Sequence, residues 1–204
     1  MTVVARSLRQ LPGSPSAPDE KVVALTFDGA PGPDTEPALD ALAAGDTAAT
    51  FFVRGAGVEA QPELLARIVE EGHALGNHSW THPRLEELDD AAVVDEFART
   101  HALVTEITGT VMRHARPPYA MSQAPRLAHL VQRLGYTAVV GWSVDPSHRN
   151  GQDAMAVTEH VIAGLVPGTI VLLHAGPGEL RSTAEAVPRI VQAGHVLGYR
   201  FVTL

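Results

Sequence analysis

The chain has 204 residues, 45% of them hydrophobic and 19% charged, with a formal net charge of −8 and a pI near 5.6. That length and balance fit one globular domain with a sizeable core, and the acidic balance excludes nucleic acid and anionic membrane as expected partners. There is no cysteine, so disulfides and thiolate metal ligands are excluded, and no run approaches the roughly 18 apolar residues of a membrane span.

Residues 1–20 read as a flexible arm, rich in Pro, Ser and Gly from Leu11 to Asp19, and residues 21–204 as the folded domain. The arm carries Arg6 and Arg9 but no continuous apolar stretch, so it is not a secretory signal. The expected location is the cytoplasm, or outside the cell if a leader has been removed. Short apolar runs then recur as candidate buried strands: Val22–Phe27, Ala49–Val53, a weaker His73–Gly76, Val111–Ala115, Tyr136–Gly141, Thr169–Leu173 and Tyr199–Thr203. Between them lie helical patterns. One starts at Asp34 or Thr35 and runs to about Ala44. Pro62 to Glu71 follows, with Leu64, Leu65 and Ile68 on one face and Gly72 closing it. The longest is capped by Asp89 or Asp90, has Val93, Val94, Phe97, Leu103, Val104 and Ile107 as its apolar face, and ends at Gly109. Gln123–Leu134, Asp153–Gly164 and Arg181–Ala193 complete the set. Strands alternating with helices call for an α/β fold, a parallel sheet with outer helices closed or nearly closed into a barrel, with a doubly wound open sheet as the alternative.

The residues just past the strands are Asp28, His78 with His82, Arg116, Asp145 and His174. In such a barrel the C-terminal strand ends share one mouth, where reactive groups collect. His78 and His82 are four apart, a spacing that in a helical turn puts both imidazoles on one face, and two neutral imidazoles are a natural divalent-metal pair. A carboxylate, an arginine and a further histidine beside them suit metal-assisted, acid–base hydrolysis. Plainer readings exist for each: Asp28 and Asp145 as turn residues, Arg116 as a surface charge, His174 as a core histidine.

These residues carry a resemblance. Thr26-Phe27-Asp28-Gly29-Ala30-Pro31 resembles the TFDDGP motif of polysaccharide deacetylases (carbohydrate esterase family 4, the NodB-homology domain). His78-Ser79-Trp80-Thr81-His82 matches its H-[ST]-x-x-H motif, Arg116-Pro117-Pro118-Tyr119 its R-P-P-Y motif, Trp142–Pro146 resembles its fourth motif and Leu172-Leu173-His174 its fifth. The match runs from about Lys21 to Leu204. It implies a distorted (β/α)7 barrel and a hydrolase acting on carbon–nitrogen bonds, removing an acetyl or other acyl group from the amide nitrogen of an N-acetylated sugar or related small molecule or oligosaccharide. It further implies a divalent metal, zinc or another ion such as cobalt, on His78 and His82, with Asp28 as general base. Arg116 would hold Asp28, His174 would be the general acid with Asp145 tuning it, the Tyr119 backbone N–H would face the oxyanion, and Leu172 would line the acetyl pocket.

The sequence also departs from the pattern. Where the family has its metal-binding second Asp, this chain has Gly29, followed by Ala30. The possible replacements are Asp28 swinging onto the metal, which compromises it as a base, a carboxylate such as Asp34, or water, with weaker binding, and restoring a carboxylate at position 29 is expected to tighten metal binding at least about tenfold. Arg149 stands where a Trp would help wall the pocket, leaving it wetter and more cationic beside Trp142, which stacks on a sugar or packs in the core. These changes leave two alternatives: altered or metal-independent chemistry on a metabolite, or a carbohydrate-binding protein without turnover.

Overall fold

A computed structural model of the chain describes residues 6–11, 21–119, 121–146, 153–176 and 181–204. The strands are β1 (Arg6–Leu8), β2 (Val22–Ala30), β3 (Thr50–Val53), β4 (Ala74–Asn77), β5 (His114–Ala115), β6 (Ala138–Val140), β7 (Ile170–His174) and β8 (Arg200–Phe201). They pair in the order β1-β6-β5-β4-β3-β2-β7, every ladder parallel, with β8 added to β2. The sheet curls until its ends meet. Just past β6, Val144 bridges Val171 of β7, and Leu172 N–H donates to the Val144 carbonyl at 2.9 Å. This is the nearly closed parallel barrel that the alternation of strands and helices implies, distorted as the resemblance implies. Among the described residues no helix is long and apolar enough to cross a membrane.

The helices are α1 (Thr35–Ala44), α2 (Gly55–Ala60), α3 (Pro62–Glu70), α4 (Asp90–Thr108), α5 (Ala124–Val131), α6 (Ala154–Gly164) and α7 (Arg181–Val196). Their ends follow capping chemistry. Asp89 accepts from Ala92 N–H ahead of α4, and Asp153 from Ala156 N–H ahead of α6. Gly109, at φ 71°, closes α4 in the left-handed region. Val93, Phe97, Thr100 and Val104 form the buried face of α4, whereas Ile107, read as part of that face, is 38% exposed. β2 is buried from Val23 onward, as expected of a parallel strand covered on both sides.

Two elements differ from the sequence reading. Arg6–Leu8 lies within the segment read as an arm yet forms β1, because it finds an open edge on β6 in register with Ala138–Val140. Helix α2 was not expected from a run with two glycines. Those glycines are there because of packing. A Cβ on Gly55 would stand 2.2 Å from the Trp80 ring, and one on Gly57 would stand 2.5 Å from the Pro31 carbonyl oxygen.

Candidate active site

Asp28, near the end of β2, lies in register with His174 on β7. It is almost fully buried, and burial opposes its charge. Arg116, His78 and His174 outweigh that and hold its carboxyl below the ordinary range. Arg116, just past β5, is fully buried. Its Nη1 donates to Asp28 Oδ1 at 2.6 Å and to Thr26 Oγ1 at 3.0 Å, while Nε and Nη2 donate to the Val140 and Gly141 carbonyls, each at 3.0 Å. Phe52 covers its face, 4.0 Å from the ring centroid. One cation thus ties the ends of β2, β5 and β6 together, which rules out the surface-charge reading of Arg116. Asp145 also acts on this guanidinium, offsetting the effect of burial on its charge.

His78 and His82 share one loop after β4, but not a helical turn. Ser79 and His82 both have left-handed backbone, at φ 69° and 62°, and side chains hold the loop in that shape. Asn77 Oδ1 accepts from Ser79 N–H at 2.9 Å, and Ser79 Oγ accepts from His82 N–H at 3.1 Å. Glu96 on α4 accepts from the N–H groups of Trp80 and Thr81, both at 2.8 Å, and from Thr81 Oγ1 at 2.9 Å. The imidazoles still meet, with ring centroids 4.9 Å apart.

His78 Nδ1 lies 2.9 Å from the Arg116 carbonyl oxygen. That oxygen can only accept, so Nδ1 carries the proton and the neutral ring keeps its lone pair on Nε2. Nε2 faces Asp28 Oδ2 at 3.5 Å. Burial lowers the pKa of both imidazoles, that of His82 to about 4, helped by His78 and Arg54. Both rings are therefore neutral at pH 7, the state in which imidazole binds a metal. Yet among the described residues no group of three or more His, Asp or Glu side chains is placed to hold an ion, so neither Asp28 nor Asp34 completes a third position. Gly29 supplies none. It sits at φ +87°, where β2 bulges against β3, and a Cβ there would lie 2.9 Å from Gly176 Cα. Gly32 is as tight, its Cβ position 2.7 Å from the Ala175 carbonyl oxygen, so the loops after β2 and β7 meet backbone to backbone. The described residues do not make a three-ligand metal centre.

Tyr119 has φ 58°, is 57% exposed, and sets its ring 4.5 Å from His82. Leu172 is buried on β7 opposite Thr26. Trp142, half-buried, has its ring 5.6 Å from the Arg116 guanidinium and lines an open cavity of about 490 Å³ with Asp145 and, on α6, His160 and Gly164. Arg149 lies outside the described residues. Sequence reasoning missed Thr26, Glu96 and Arg54. Thr26 lies in the first motif without a role of its own, Glu96 and Arg54 lie in none, and their contacts come from elsewhere in the chain.

The polysaccharide deacetylase family model matches residues 16–139. The chain is 40% identical over 171 residues to a chitooligosaccharide deacetylase of Bradyrhizobium, covering 82% of this chain and 77% of that one. It spans 66% of a Bacillus cereus and 40% of a Listeria monocytogenes peptidoglycan-N-acetylglucosamine deacetylase that it also matches. Among solved structures, a peptidoglycan N-acetylglucosamine deacetylase superposes with a TM-score of 0.86 at 29% identity, over 98% of this chain and 91% of that one. A Bacillus anthracis pseudoenzyme of carbohydrate esterase family 4 gives a TM-score of 0.79 at 25% identity, over 92% and 65%. With the motifs gathered at one barrel mouth and the family model matched over more than half its length, the chain belongs to the polysaccharide deacetylase family.

Proposed function

We propose that the chain hydrolyses the acetyl amide of an N-acetylated sugar, releasing acetate and the free amine. The observation that carries this is the buried Asp28–Arg116 pair at the barrel mouth, flanked by His78 and by His174 across the β2–β7 ladder. Arg116 occupies Asp28 Oδ1, which leaves Oδ2 to take the proton of an attacking water. His174 protonates the departing nitrogen, with Asp145 orienting it. The Tyr119 N–H serves the oxyanion, Leu172 receives the acetyl methyl, and Trp142 flanks the sugar. On this reading zinc or cobalt binds His78 and His82, weakly because Gly29 adds no ligand. His78→Ala and His82→Ala each remove most of the metal that the wild type takes up, as read by elemental analysis.

The second reading, a sugar-binding protein without turnover, is favoured by Gly29 alone. Single-turnover kinetics separate the two. His174→Ala lowers the acetate-release rate by roughly 10²–10⁴-fold while sugar binding stays within about threefold of wild type. Wild-type turnover in that variant would remove His174 from the chemistry.

A further inference from the structure

The loop that carries His78 and His82 is tied to the interior by a hydrogen-bonded chain that takes no part in the chemistry above. It begins at Ser79, fully buried at φ 69°, whose N–H donates to Asn77 Oδ1 at 2.9 Å. Asn77 is also fully buried, and its Nδ2 donates to the Phe97 carbonyl of α4 at 2.9 Å and to the Tyr136 hydroxyl at 2.6 Å. That hydroxyl in turn lies 3.0 Å from Nδ1 of His101, one turn beyond Phe97 on α4, and the two rings meet edge to face with centroids 5.3 Å apart. Every proton in this chain has one place to be. A backbone N–H can only donate and a carbonyl can only accept, so Ser79 and Phe97 fix which way the Asn77 amide faces. The amide nitrogen is then the donor toward Tyr136, whose oxygen accepts and whose O–H is left to donate to His101 Nδ1. That bond requires the neutral imidazole with its proton on Nε2, and burial, which lowers the His101 pKa, favours the neutral form. Burial raises the Tyr136 pKa, so the hydroxyl keeps its proton. Tyr136 is only 2% exposed, which makes water a poor substitute for either partner.

From this geometry we infer that Tyr136 and His101 are positioning residues for the histidine loop. His101 orients the Tyr136 hydroxyl, the hydroxyl holds the Asn77 amide, and Asn77 holds the left-handed turn at Ser79 from which the His78 and His82 imidazoles converge. Both act through Asn77 and not on the substrate. Left-handed backbone at a residue with a side chain persists only where the surroundings over-determine it, and this pair supplies part of that support from α4 and from the segment leading into β6. The effect on turnover rests on the amide-hydrolase reading, whereas the effect on the loop does not.

Amide exchange at Ser79, measured against the β2 amides, tests this in Tyr136→Phe, His101→Leu and His101→Asn. The first removes only the hydroxyl, the second removes the acceptor, and the third keeps an acceptor where Nδ1 stood. Tyr136→Phe and His101→Leu are expected to speed Ser79 exchange by about tenfold or more with β2 unchanged, while His101→Asn stays within about threefold of the wild type. Helix propensity works in the other direction, since Leu suits the interior of α4 better than Asn, so a merely structural role for position 101 predicts the opposite order. In acetate release, Tyr136→Phe and His101→Leu should lower kcat by roughly 10–10²-fold at unchanged KM, and His101→Asn should restore it. Unchanged Ser79 exchange in the first two variants overturns the inference, as does equal acceleration at β2 or a His101→Asn variant as fast as His101→Leu. If Tyr136→Phe does not fold, the two His101 variants decide by themselves. A wild type that releases no acetate removes the hydrolase reading and leaves the exchange result to decide the positioning role.

Discussion

A carboxylate at position 29 has nowhere to go unless backbone moves. At φ +87° an L side chain is strained, and its Cβ would meet Gly176 Cα at 2.9 Å. Gly29→Asp is therefore expected to destabilise the fold by about 1–3 kcal/mol in urea denaturation. The sequence alone argued for tighter metal binding in this variant. With the loop after β7 packed against the site, the gain in zinc affinity should fall short of tenfold in calorimetry. Unchanged stability together with a larger gain would show that the two loops part easily. His82 gives a pH prediction. Its folded pKa, about 4, lies below the ordinary 6.5. Between those values the unfolded chain binds more protons, so stability is full above pH 6.5 and is lost as pH falls toward 4. His82→Gln, studied with chelator present, should flatten that decline in thermal melts, and an unaltered slope would place the titration elsewhere. Asp28, Arg116, His78 and His174 were legible because each directly follows a run of apolar residues, or lies one or two residues beyond it. Glu96 was not, because the N–H groups it accepts from, those of Trp80 and Thr81, lie 16 and 15 residues earlier and only the folded loop brings them to it.

The loop from Asn77 to His82 behaves as a small element with its own supports. Glu96 supplies three of them from α4, satisfying two backbone N–H groups that the left-handed turns leave without partners in any helix or strand. Hydrogen bonds to a charged acceptor are worth about 1.5–3 kcal/mol, and partial exposure of Glu96 places this set toward the low end. Glu96→Ala should speed amide exchange at Trp80 and Thr81 by at least about tenfold while the β2 amides keep their protection. A uniform acceleration across the chain would mean global destabilisation instead. From sequence, the spacing of His78 and His82 correctly brought two imidazoles together, but through the wrong element. A helix would need no Asn77, Ser79 or Glu96, and four-residue spacing alone does not distinguish it from a side-chain-supported turn. The strands β2 and β7 were easier to read, because burial on both faces makes each a continuous apolar run. β5, only His114–Ala115, was overextended for want of such a run at its start.

At the scale of the molecule, the curl of the sheet is what gathers these groups. Parallel ladders bring the C-terminal ends of β2, β4, β5 and β7 to one rim, and Arg116 spans three strand ends there with four hydrogen bonds. Removing one partner of a buried pair leaves the other charge uncompensated, so Arg116→Leu is expected to cost about 3–5 kcal/mol, read as a lowered denaturation midpoint, and a loss below 1 kcal/mol would show that the rim holds without it. The barrel itself was legible from the alternation of apolar runs and helical patterns, whereas its closure was not, since it depends on single bridges at Val144 and Gln10 rather than on a strand. The central claim is that this rim hydrolyses an acetyl amide. Its most direct test is acetate release from N-acetylated oligosaccharides by the wild-type chain, with chelator and with added zinc, against Asp28→Asn as the blank. Release above the blank in at least one condition is predicted, and oligosaccharide binding with no release in either would contradict it.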